Sequence, residues 1–245
     1  MIKATDNRAL LFCALDHGIH EKVYKTAESI AEFVDGLKLG LEYFTAIGPR
    51  GVEQFGELGL PIFLDLKLHD IPNTIMGAIR SLIPLKPYYL TLHASGGEQM
   101  LHAARQTAHE EASKLSLPTP KLLAVTILTS LDSTDLLRQG ISRQVTDQTL
   151  RLAELSQQAG MDGIVCSPHE IKSIRNNCGN DFDIVVPGIR QTSDSTQDQK
   201  RVMTPSKAVE AGADVLVVGR PITSSPNPAS VVKDIVAQLG AYTKN

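Results

Sequence analysis

The chain has 245 residues, 42% of them hydrophobic, with 24 basic and 27 acidic side chains and a formal net charge of -3. That is ample apolar material for a large core, and a balance too near neutral to mark a nucleic-acid-binding or anionic-membrane surface. Cys13, Cys166 and Cys178 form no CxxC pair or disulfide ladder, the first residues lack a signal-peptide pattern, and no apolar run approaches the ~20 residues of a membrane span. A cytoplasmic protein is expected, without nucleic-acid or membrane partners.

In chain order, short aliphatic runs recur at 9–16 (ALLFCALD), 36–40 (GLKLG), 61–67 (PIFLDLK), 88–93 (YYLTLH), 121–128 (KLLAVTIL), 163–167 (GIVCS), 183–189 (DIVVPGI) and 215–220 (VLVVGR). Their shortness and aliphatic richness suit strands buried on both faces, as in a parallel sheet. Between them the spacing turns helical. Over 21–34, Val23, Ala27, Ile30, Ala31 and Val34 share one face. Thr204-Pro205 and Asn227-Pro228 read as an N-cap followed by a first-turn proline, and Gly160 and Gly212 read as helix stops. Eight such units in a chain of this length predict an α/β fold, a (β/α)8 TIM barrel forming a single domain over 1–245. A doubly wound open sheet follows from the same alternation. In a barrel, the chemistry belongs at the C-terminal ends of the strands.

Those ends carry charge. The first run closes on Leu15-Asp16-His17, the second holds Lys38, and the third continues as FLDLKLHDIPNT (63–74). Asp65 and Lys67 are two apart, so on a strand they share a face while Leu64, Leu66 and Leu68 take the other. If the leucines pack against helices, Asp65 and Lys67 project into the barrel mouth. Asp70 follows just beyond, before Pro72. With Lys38 on the neighbouring strand, the expected array is a quartet of Lys38, Asp65, Lys67 and Asp70, each charge stabilised by its neighbours. A second constellation lies at runs seven and eight, where Arg190 and the Gly219-Arg220 pair suit an anion such as phosphate. The polar stretch after Arg190, QTSDSTQDQKR, has the composition of a lid ordered by its ligand.

His69, Asp65, Asp70 and His93 raise the question of a metal. Two lysines beside a divalent cation argue against it, and no HExxH or Cys/His ligand spacing occurs. No metal is expected. His102 and His109, seven apart on a helical segment, read as surface residues.

The ordered series LDH (15–17), KLG (38–40), FLDLKLHDIPNT (63–74), HASGG (93–97), VTILTS (125–130), PGIR (187–190) and VVGRPI (217–222) resembles the orotidine 5'-phosphate decarboxylases over nearly the whole chain. The resemblance implies a homodimeric (β/α)8 enzyme that converts orotidine 5'-monophosphate to UMP and carbon dioxide without metal or organic cofactor. It further implies Lys67 as proton donor to pyrimidine C6, Asp65 beside the departing carboxylate, and Lys38 and Asp70 completing the array. Asp70 and Thr74 would reach the partner subunit's site. Asp16 and Lys38 would bind the ribose, Thr129 the pyrimidine (with Thr126 as a lesser substitute), and Arg190, Gln199, Gly219 and Arg220 the phosphate. Two other readings stay open: a metal-dependent sugar-phosphate synthase or epimerase on a related barrel, and a catalytically silent phosphate-ligand sensor.

Overall fold

A computed structural model describes residues 8–190 and 203–240. Its strands are β1 (Leu10–Ala14), β2 (Gly36–Gly40), β3 (Ile62–Leu68), β4 (Tyr89–His93), β5 (Lys121–Val125), β6 (Gly163–Val165), β7 (Asp183–Val186) and β8 (Val215–Val218). Each is parallel to the next, and β8 returns to β1 in the register Leu10–Val215 to Cys13–Val218. The sheet therefore closes, which excludes the open doubly wound alternative.

The strands obey their period of two. Leu11 and Cys13 of β1, Leu64 and Leu66 of β3, and Leu216 and Val218 of β8 join the large apolar layer beneath the helices. The alternate residues Phe12, Phe63, Tyr89, Leu123, Val185, Val215 and Val217 form a second cluster inside the barrel. Its lower part is an aromatic plug, with Phe12, Phe63 and Tyr89 ring centroids 5.5–6.1 Å apart. Gly36 makes room for this plug, since a Cβ there would collide with the Phe12 ring. The barrel is thus sealed below and open above.

The helices are α1 (His20–Ile30), α2 (Leu41–Ile47), α3 (Pro49–Gln54), α4 (Pro72–Leu82), α5 (Glu98–Lys114), α6 (Ser133–Arg138), α7 (Val145–Gln158), α8 (Ile171–Cys178), α9 (Pro205–Glu210), α10 (Arg220–Thr223) and α11 (Pro228–Gly240). Helix α1 stops at Ile30, four residues before the end of its predicted stretch, yet Val34 remains buried. Pro205 and Pro228 open α9 and α11 as expected. Asn227 caps α11 through its Oδ1, which accepts from Ser230 N–H at 3.2 Å, whereas the Thr204 side chain makes no cap bond. Gly160 and Gly212 follow α7 and α9 at φ 76° and 108°, the left-handed geometry a helix stop requires. All three cysteines are free and buried. No helix among the described residues is long and apolar enough to cross a membrane.

Candidate active site

A cavity of about 500 Å³ opens at the C-terminal ends of the strands. Its floor is apolar: Ala14, Phe63, Val125, Val165, Val185 and Val217 supply the inward positions of their strands. Charged groups line the walls. Asp16, Lys38, Asp65 and Lys67 come from β1 to β3 and the turn after β1, and Arg190 and Arg220 follow β7 and β8.

Four of these charges form a continuous chain. Lys38 Nζ lies 3.1 Å from Asp16 Oδ1 and 3.3 Å from Asp65 Oδ2, and Lys67 Nζ lies 2.8 Å from the same Asp65 oxygen. Lys38 and Asp65 are buried, at 7% and 8% exposure, so neither charge could persist there alone. Burial alone would pull the Lys38 ammonium down, but the carboxylates of Asp65 and Asp16 outweigh it and its pKa lies above the usual lysine value. Burial would likewise push Asp65 up; Lys38 and Lys67, with hydrogen bonds from Lys67 and Thr91, instead hold it below the usual carboxylate range. Both groups stay ionised at neutral pH. Gly40 keeps the space clear, because a Cβ at that position would run into the Asp16 carboxylate.

Within one chain the charged array is Asp16, Lys38, Asp65 and Lys67, with Asp16, just after β1, in contact with Lys38, and with Asp70 lying elsewhere. Strand β3 ends at Leu68, and the backbone then turns outward into α4, which begins at Pro72. Asp70 is exposed, and its Oδ1 accepts the N–H of Ile71 at 2.7 Å. Thr74, in the first turn of α4, is also exposed, and neither residue lines the cavity. Ile71 between them is 66% exposed, a large apolar side chain facing out of its own barrel.

The other end of the cavity contains Arg190, Gly219 and Arg220 as expected. Arg190 is buried, and Arg220 opens α10 directly after Gly219. Thr129 lines the cavity. Thr126 does not: its hydroxyl donates to the Val165 carbonyl of the neighbouring strand at 2.8 Å. Gln199 and the polar stretch around it lie outside the described residues. The four candidate metal ligands do not converge. The His69 and His93 rings lie tilted to one another with centroids 5.4 Å apart, Asp65 is engaged by two ammonium groups, and Asp70 accepts its neighbour's backbone N–H. Among the described residues, no group of three or more His, Cys, Asp or Glu side chains is arranged to hold a metal.

Reading the sequence alone missed several participants. Glu42, in the first turn of α2, and Ile127 and Leu128, after β5, line the cavity. Leu128 had a signal, as an apolar residue beside a strand-end threonine. Thr91 had none: it is one buried threonine among the residues of β4, yet it bonds both Asp65 and the Lys67 backbone.

A closed parallel barrel with ammonium and carboxylate groups in contact in the cavity at the C-terminal ends of its strands, and two arginines lining the same cavity, has the architecture of a (β/α)8 enzyme. Comparison makes the assignment specific: residues 9–235 match the family model described as orotidine 5'-phosphate decarboxylase / HUMPS family, and the chain belongs to that family. An orotidine 5'-phosphate decarboxylase of Paramagnetospirillum magneticum is 48% identical over 230 residues, spanning 94% of this chain and 98% of that relative. One from Moorella thermoacetica is 46% identical over 88% of this chain and 86% of its own length. The crystal structure of orotidine 5'-phosphate decarboxylase from Lactobacillus acidophilus superposes with a TM-score of 0.81 at 35% identity, covering 95% of this chain and 99% of that one. An uncharacterized conserved protein from Geobacillus kaustophilus matches with the same TM-score at 31% identity, covering 94% and 99%.

Proposed function

We propose that the chain decarboxylates orotidine 5'-monophosphate to UMP and carbon dioxide, without metal or organic cofactor, as a homodimer with shared active sites. The observation that carries this reading is the contact of Lys67 and Lys38 with a single buried carboxylate, Asp65, at 2.8 and 3.3 Å. Loss of carbon dioxide from C6 leaves a carbanion whose electron pair lies in the ring plane, where the pyrimidine cannot delocalise it. A fixed ammonium stabilises that charge as it develops, and Lys67 then delivers a proton to C6. Asp65 holds the Lys67 ammonium in place and lies beside the substrate carboxylate as it departs.

Asp16 and Lys38 bind the ribose hydroxyls, and Thr129 binds the pyrimidine edge. Arg190, Gly219 and Arg220, with Gln199, gather the phosphate at the far end of the cavity. Binding energy from the phosphate serves to order the site around the reacting bond. Asp70 and Thr74 face away from their own cavity, which fits a role in the site of a second subunit. Lys38, Asp65, Lys67 and Asp70 are then the charged groups of one complete site, two subunits contributing to each.

The test is conversion. Chromatography should show UMP appearing from orotidine 5'-monophosphate with the wild type and nearly none with a folded Lys67→Ala variant. Substantial turnover by that variant would overturn the assigned proton donor. Inert orotidine 5'-monophosphate together with magnesium-dependent turnover of a sugar phosphate would replace the reading with the synthase or epimerase alternative.

A further inference from the structure

The contact between Lys67 and Asp65 lies at an irregularity in β3. The β3–β4 register passes from Leu64 opposite Leu90 to Leu68 opposite Leu92. Asp65, Leu66 and Lys67 therefore face a single residue of β4, Thr91. Lys67 sits at φ 50°, in the left-handed region that is unfavourable for a residue with a Cβ. A bulge of this kind sets the direction of the side chains within it, and here the Lys67 ammonium meets the carboxylate two residues earlier at 2.8 Å.

Thr91 fills the gap this leaves in the ladder. Its Oγ1 accepts the Lys67 backbone N–H at 2.9 Å, as a strand carbonyl would, and its own proton goes to Asp65 Oδ1 at 3.0 Å. Thr91 is fully buried and does not line the cavity, so it lies behind the charged pair. A β-branched side chain in a strand has restricted χ1 freedom, and both partners add to that restriction. Valine would fill the same space but leave the Lys67 N–H unpaired and remove one donor from Asp65.

We propose that Thr91 is a positioning residue for the reaction, its hydroxyl fixing both the strained Lys67 backbone and the Asp65 carboxylate that holds the Lys67 ammonium. The proposal rests on the reading of Lys67 as proton donor. Because Thr91 touches neither end of the cavity, its loss acts on turnover rather than on substrate capture.

The experiment compares Thr91→Val, Thr91→Ala and Thr91→Ser by kcat and KM for orotidine 5'-monophosphate. Thr91→Val and Thr91→Ala should each lose about tenfold or more in kcat, with KM within about threefold of wild type, while Thr91→Ser keeps most of kcat. Wild-type kcat in Thr91→Val, or a fall in Thr91→Ser as deep as in Thr91→Ala, would overturn the proposal. If Thr91→Val does not fold, the serine–alanine comparison decides by the same criterion, since both lack the methyl and only serine keeps the hydroxyl. Carbon-13 titration of the Asp65 carboxyl needs no substrate. In Thr91→Val it should move up toward the ordinary carboxylate range, and an unmoved titration counts against Thr91 even where the wild type is active. A wild type that leaves orotidine 5'-monophosphate intact, with the Asp65 titration shifted as expected, would refute the proposed reaction and leave the positioning geometry standing.

Discussion

Replacing Asp65 by asparagine tests the charged chain as a piece of physics, independent of any substrate. The substitution preserves shape and removes the one negative charge between Lys67 Nζ at 2.8 Å and Lys38 Nζ at 3.3 Å. Removing one partner of a buried ion pair costs about 3–5 kcal/mol, because the remaining charge is left uncompensated. Two features place this case at the lower end. Lys38 keeps Asp16 at 3.1 Å, and the Lys67 side chain, 29% exposed, can turn toward water. A loss of about 3 kcal/mol in a chain of this size lowers the melting temperature by roughly 6–12 °C. The pH dependence follows from the depressed Asp65 pKa. Its stabilisation is fully present above the ordinary value of 3.8 and is lost as pH falls through the lower folded-state value. The gap between wild type and Asp65→Asn should therefore be wide at pH 7 and narrow below about pH 4. Scanning calorimetry across that range is the assay. A drop under about 2 °C at pH 7, or a gap that does not narrow in acid, would refute the account of mutual stabilisation.

Three further outcomes are expected. Lys67→Gly should be more stable than Lys67→Ala by about 1 kcal/mol in thermal or urea unfolding, since only glycine adopts φ 50° without a Cβ penalty; equal stabilities would contradict the strained backbone. Arg220→Ala should lower kcat/KM by more than about tenfold, about 1.4 kcal/mol, although it touches no reacting atom, and a smaller loss in steady-state kinetics would count against phosphate capture by this residue. Lys67→Ala and Asp70→Ala, each inactive alone, should recover about a quarter of wild-type activity when unfolded and refolded together, by random pairing of subunits; no recovery would contradict the shared site.

Much of this architecture is legible in the sequence, and the parts that are not share a cause. The eight aliphatic runs mark the strands, and the period of two puts Leu64, Leu66 and Leu68 on one face and Asp65 and Lys67 on the other. Closure of the sheet is predicted from the count of eight units and from the family resemblance; alternation alone also allows an open sheet, because closure depends on β8 pairing with β1, residues some 200 positions apart. Strand periodicity also says nothing about the chain beyond the strand. Within one chain Asp70 is exposed and bonds its neighbour's backbone N–H, and the contact of Asp16 with Lys38 across β1 and β2 is not foreseen. The bulge at Lys67 and the threonine that supports it arise between two strands, so neither strand alone announces them. The same holds at the opposite end of the barrel. Asp35, Asp162 and Asp214 precede β2, β6 and β8, and each accepts a backbone N–H from the neighbouring strand, at Leu11, Leu122 and Ile184. Each also pairs with an arginine, Arg8, Arg105 or Arg175. A lone aspartate before a strand carries no such message; only the folded neighbour gives it one.

The central claim is that this charged cavity removes carbon dioxide from orotidine 5'-monophosphate without a metal, Lys67 stabilising the developing charge and then protonating C6. Its most direct test is the ultraviolet absorbance of orotidine 5'-monophosphate incubated with the purified protein and EDTA. A fall in the orotate band with stoichiometric formation of UMP is the predicted result. An unchanged spectrum under EDTA, with turnover appearing only when a divalent metal is restored, would contradict it.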